Sequence, residues 1–243
     1  MGKKHRKIVL PRPASELTVS WTEQLQDTAA STFLLLLLVA DCAFIVLHFL
    51  ALTVLSNYPL LLLHVDQGYP EFFQYIKELW IVGLLLSLTI RTKAVGYSVW
   101  ALLFLYLLID DSLRIHETYG EFIAARLEFT PFLGLRAKDF GELAVSATAG
   151  GFFITLLALF YLNGSAAFKQ TSRHLLLLLF ALALFGIFFD MVHLATMGRW
   201  TFSYLLGIVE DGGEMIVMSV MAWYAFLLNL RKGNLASSLR STR

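Results

Sequence analysis

Leu175-Leu-Leu-Leu-Leu-Phe180-Ala-Leu-Ala-Leu-Phe185-Gly-Ile-Phe-Phe-Asp190-Met-Val-His193 is the stretch that decides the fold of this chain. The run from Leu175 to Phe189 is apolar, and roughly 20 such residues wound as a helix cross about 30 Å of hydrocarbon. A carboxylate and an imidazole then arrive three residues apart, on one helical face. An ionisable group at membrane depth costs roughly 2.5–3.5 kcal/mol on insertion scales, so it is normally paired, hydrated or functional. The final apolar run is interrupted in the same way, at Val209-Glu210-Asp211-Gly-Gly-Glu214-Met-Ile216.

Outward from that stretch the whole chain is lipid-like. Of its 243 residues 58% are hydrophobic and 15% charged, with a mean hydropathy of +0.69, too apolar for an ordinary soluble domain. Six segments are long enough to span, at about residues 32–55, 71–90, 94–112, 140–162, 174–195 and 203–229. None alternates as a barrel strand does, so the expected fold is an all-α integral membrane protein of six transmembrane helices. Residues 1–30 form a basic N-terminal segment, 31–229 the transmembrane domain and 230–243 a basic tail. In the first segment Leu17, Trp21 and Leu25 recur every four residues, which fits either a short interfacial helix or a tail with chance periodicity. The charge distribution predicts the topology. With both termini cytoplasmic, thirteen of the nineteen Lys and Arg residues lie inside, while the two short inner loops and the tail contain no acid. This bias suits a bacterial inner membrane. The single cysteine, Cys42, excludes an intrachain disulfide and a cysteine metal site. No phosphate loop, serine-nucleophile elbow or nucleic-acid signature is present.

The even spans open alike: Tyr75-Ile-Lys-Glu78, Asp139-Phe-Gly-Glu142 and Asp211-Gly-Gly-Glu214. Each odd span before them carries Asp and then His: Asp41 with His48, Asp110 or Asp111 with His116, Asp190 with His193. The chain therefore reads as three repeated helical hairpins, each supplying Asp, His and Glu toward the outer side. Asp110, Arg114 and Glu117 share a helical face, whereas His116 lies about 120° from Asp110 unless the helix end unwinds. The apolar connection from Thr118 to Lys138 predicts a surface or re-entrant helix, and the paired glycines 212 and 213 predict a kink or a close backbone approach.

Carboxylates and imidazoles without thiolate make a ligand set for a divalent transition metal, Fe, Mn or Zn. The expected ligands are Asp110, His116, Glu142, Asp190, His193 and Glu214, with Glu117 or Glu210 as general base; Asp41, His48 and Glu78 belong to the degenerate first repeat. In inventory these six residues resemble the dimetal carboxylate sites of ferritin-like bundles, Asp190-x-x-His193 imitating their Glu-x-x-His spacing. Asp replaces Glu, however, and Asp110 to His116 departs from the pattern. The alkaline-ceramidase-like hydrolases are disfavoured, because no His-x-x-x-His pair occurs on a late helix. The expected function is a metalloenzyme on a lipidic or membrane-soluble substrate, in contact with lipid and with membrane partners or further copies of itself. The alternatives are proton or cation transport by the same acids, bis-histidine haem ligation, and a non-catalytic accessory subunit.

Overall fold

The structure, a computed structural model, describes residues 27–196 and 200–241, with side chains for 27–196 and 203–231. Most of the basic N-terminal segment, Arg199 and the side chains of the tail beyond Arg231 lie outside the described residues.

Asp27 starts the first helix: its carboxylate accepts from the amides of Ala29 and Ala30 at 3.1 and 3.2 Å, satisfying two donors that a helix start leaves free. Helix α1 (Thr28–Ala51) follows, then a loop with one short 3-10 turn. Helix α2 (Tyr69–Thr92) opens with Pro70 in its first turn, where the missing N–H is harmless. It turns at Lys93 into α3 (Gly96–Leu113) and then α4 (Ile115–Arg126). Helix α5 (Ala137–Leu162) leads to α6 (Ala166–Ala183), which continues through a π-helical turn, Leu184–Phe189, into α7 (Asp190–Ala195); α8 (Trp200–Ser241) closes the chain. Six helical segments, with α6 through α7 counted as one, are long and apolar enough to cross a membrane. Among the described residues there is no strand, only an isolated bridge between Phe132 and Leu135.

The last helix is the hub. Helix α8 packs on α1, α2, α6, the π turn and α7, and its Met218, Met221, Ala222 and Leu227 meet Leu85, Trp100 and Phe104 in the buried core. Helices α1, α5 and α6 instead expose apolar side chains such as Leu35, Phe152, Leu177 and Phe180. Such a belt is costly in water and compatible with lipid. Helices α5 and α6 touch each other little.

Several boundaries differ from the sequence expectation. The fifth span begins at Ala166 rather than near residue 174, so Lys169 and Arg173 ride on the helix beside Tyr161 instead of forming a turn. The sixth runs without interruption through Gly212 and Gly213: the glycines admit the rings and side chains of Phe185 and Ile45, and the irregularity falls in the facing π turn. The apolar outer connection contains α4, pinned to α5 where Gly120 meets Gly141 and Glu142 backbone to backbone.

Candidate metal centre

Helix α3 ends because Arg114 adopts the left-handed conformation, φ 53° and ψ 45°. That break corrects the expectation that Asp110, Arg114 and Glu117 share one face. Arg114 turns away to pair with Asp66 at 3.1 Å and with Glu117. His116 swings back onto Asp110: its backbone N–H donates to Oδ1 at 2.8 Å, and its ring Nδ1 lies 3.2 Å from Oδ2. Asp110 thus caps α4 and orients the imidazole together. The unwound helix end that the spacing required is present.

One ligating atom from each of Asp110, Asp111 and His116 lies within 4.8 Å of the others. Beside them Glu78 is 1% exposed, within hydrogen-bonding reach of Asp111, and its Oε2 has no hydrogen-bond partner. A buried carboxylate oxygen without a partner is expensive, and a cation held by the neighbouring acids would repay it. The three-residue group fits a divalent metal with positions left open, each residue offering one ligating atom. The Asp110 hydrogen bond, opposed by burial, raises the His116 pKa above its ordinary value, and the Arg114 hydrogen bonds lower that of Glu117.

All eight residues expected at the site line one cavity of about 1340 Å³. They do not form one ligand shell. Elsewhere on the cavity lining, His193 Nδ1 lies 2.8 Å from Glu210 Oε2, its ring resting on α8 where Gly207 has no side chain. Asp190 is within hydrogen-bonding reach of Glu210. Glu142 is engaged by Lys138 at 3.1 Å, and Glu214 lies against Gly186 of the π turn, where a side chain would collide with its carboxylate. Glu117, tied to Arg114 by two hydrogen bonds, is poorly disposed to act as a base.

The first repeat divides. Asp41 is absent from the cavity lining and accepts from Lys77 Nζ at 3.1 Å and Ser219 Oγ at 2.5 Å, while Lys77 also donates to Met215 O at 2.9 Å. This is a buried ion pair joining α1, α2 and α8. His48 accepts at Nδ1 from Leu63 N at 3.1 Å, so its Nε2 carries the proton and donates to Tyr204 Oη at 3.2 Å. With both nitrogens engaged, His48 makes a poor haem ligand.

Sequence reasoning passed over Glu71, Gln74 and Tyr75, which with Glu78 line the cavity at i, i+3, i+4 and i+7 of α2. That polar stripe was the available signal. Asp111, set aside in favour of Asp110, joins the close group.

The chain belongs to the family described as Domain of unknown function (DUF8692), whose model matches residues 32–230. No curated protein and no solved structure matches it.

Proposed function

We propose that this protein binds one divalent transition metal through Asp110, Asp111 and His116 and acts hydrolytically on a membrane amphiphile that enters its cavity from the lipid. The carrying observation is the convergence of those three side chains at the wall of a large cavity. Away from the acids that cavity is lined by Leu103, Leu107, Ile154, Leu176 and Leu179. Two carboxylates and one imidazole favour Zn, Fe or Mn, and the bound metal would supply Lewis acidity toward a carbonyl. Glu210, steadied by His193 and Asp190, takes the general-base role in preference to Glu117. Glu142, Asp190, His193 and Glu214 surround the substrate and are not direct ligands in this reading.

The reading includes a three-hairpin repeat as part of the proposal, and the lining of one cavity by Glu78, Glu142 and Glu214 supports it. Both termini are taken as cytoplasmic and the cavity as opening outward, from the Lys and Arg bias; a bacterial inner membrane is the assignment that bias favours.

Elemental analysis of protein purified in mild detergent tests the reading. About one Zn, Fe or Mn per chain is expected, with affinity lowered by at least roughly 100-fold in His116→Ala and Asp111→Asn, since removing even an outer partner costs about 10–100-fold. Full metal content in both variants, or none in the parent protein, overturns it.

A further inference from the structure

The loop between α1 and α2 is tied to the rest of the molecule at few points. Among the described residues it reaches beyond its own ends through one buried hydrogen bond, Leu63 N–H to His48 Nδ1 at 3.1 Å, and one exposed ion pair, Asp66 with Arg114 at 3.1 Å. Its own fold is compact. After the short turn Pro59–Leu61 the chain doubles back to Gly68, where a Cβ would meet the carbonyls of Val65 and Leu60 at 2.8 and 3.0 Å. Exposed ion pairs contribute little, so Leu63 is the anchor, its side chain 6% exposed and its amide on His48. Leu63, His64, Val65 and Asp66 line the cavity, which makes the docked loop part of the cavity wall.

That anchor depends on the charge state of one imidazole. His48 is 1% exposed, and its Nδ1 accepts from Leu63 only while it carries no proton. Its Nε2–H donates to Tyr204 Oη at 3.2 Å. Protonation leaves the Tyr204 bond in place and turns Nδ1 into a second donor, facing the Leu63 N–H. The titratable groups against the ring are Tyr204 from α8 and His64 from the loop itself, whose ring centroid lies 5.9 Å away. Asp41, two turns along α1, is engaged by Lys77, and no acid pairs with His48 among the described residues. An imidazolium there has no carboxylate to hold it and meets like charge if His64 is protonated too. Water supplies the missing acceptor once Leu63 lifts.

We infer that His48 is a proton-released latch: neutral, it holds the loop against the helices as a wall of the cavity, and protonated, it lets that wall lift. The inference needs the cavity alone, and neither the metal nor the amphiphile. With the loop free, an imidazole takes its proton near the ordinary value of roughly 6.5, whereas the docked loop excludes that proton. Docking is therefore fully supported above that value and weakens as pH falls below it, by about tenfold in the docking equilibrium for each pH unit.

The test is hydrogen–deuterium exchange of the full chain in mild detergent, read by mass spectrometry on the peptide that carries Leu63. A chelator is present throughout, so that release of metal at low pH does not enter. After correction for the intrinsic pH dependence of exchange, protection of Leu63 is expected to fall about tenfold between about pH 6.5 and 5.5, while the α3 segment around Trp100 keeps its own. In His48→Asn, whose amide oxygen takes the place of Nδ1 and binds no proton, protection should persist across that range. His64→Gln should behave as the parent does. His48→Phe, which lacks the acceptor, should leave Leu63 poorly protected at every pH. Protection in the parent that ignores pH, a fall that persists in His48→Asn or vanishes in His64→Gln, or a parallel loss in α3 overturns the inference. None of these outcomes bears on metal content, which is scored on protein without chelator.

Discussion

At the scale of single residues, the ionisable groups fall into two kinds. Lys77 and Asp41, with Ser219 Oγ and the Met215 carbonyl as their further partners, hold three helices together. Removing one partner of a buried pair strands the other charge, at about 3–5 kcal/mol, while removing both is often nearly neutral. Lys77→Met should therefore destabilise the protein by about that amount, and Lys77→Met/Asp41→Leu should regain most of it; thermal unfolding in detergent of the four members of this cycle gives the answer. His116 belongs to the second kind. Its pKa is raised by Asp110, so in metal-stripped protein the charged pair stabilises fully below the ordinary histidine value and is lost as pH rises through the raised one. Metal needs the neutral ring, so its uptake should run the other way, weakening as pH falls through that same range. Titrating metal affinity against pH in parent and Glu210→Gln protein checks this, since Glu210 touches His193 and not His116 and both profiles should coincide.

At the scale of elements, two junctions decide the geometry. The break at Arg114 puts a residue with a Cβ into left-handed backbone, which costs roughly 1–2 kcal/mol and is cheapest for glycine. Arg114→Gly should keep metal bound, whereas the β-branched Arg114→Val should weaken it by about tenfold or more by pulling His116 off Asp110, as read by metal titration. The second junction is the contact of Gly120 with Gly141, where a new Cβ would fall on backbone atoms that cannot rotate away. Gly141→Ala should cost about 1–3 kcal/mol, as overpacking does, measured by thermal unfolding. These junctions also mark where sequence reading stopped. The apolar runs announced six spans by length alone; the boundary that moved furthest inward on the polar side is that of the fifth span, where Lys169 and Arg173 sit on the helix start beside the aromatic Tyr161. Nothing local announces that Arg114, a good helix former, will end α3; the left-handed turn is imposed by what Asp110, Asp66 and Glu117 gain from it. In the same way Gly212 and Gly213 look like a kink and prove to be a seat for Phe185 and Ile45.

At the scale of the whole molecule, α8 is a buried post, and α5 and α6 are a loosely joined pair with exposed apolar side chains, with acids lining the cavity. That the Asp, His and Glu residues of the second and third hairpins line one cavity was legible, because alternating span direction brings the polar ends of the helices to the same side, whereas Asp41 of the first lies outside it. Which of them approach closely was not legible, since that depends on side-chain partners: Lys138 takes Glu142 and Glu210 takes His193, leaving Asp110, Asp111 and His116 as the close group. The most direct measurement of the account is an anomalous-scattering map from crystals of metal-loaded protein, collected at the Zn, Fe or Mn edge. The account predicts one strong peak at about 2.0–2.2 Å from one ligating atom each of Asp110, Asp111 and His116. A peak coordinated instead by His193 and Glu210, or no ordered peak in protein that retains metal, would contradict it.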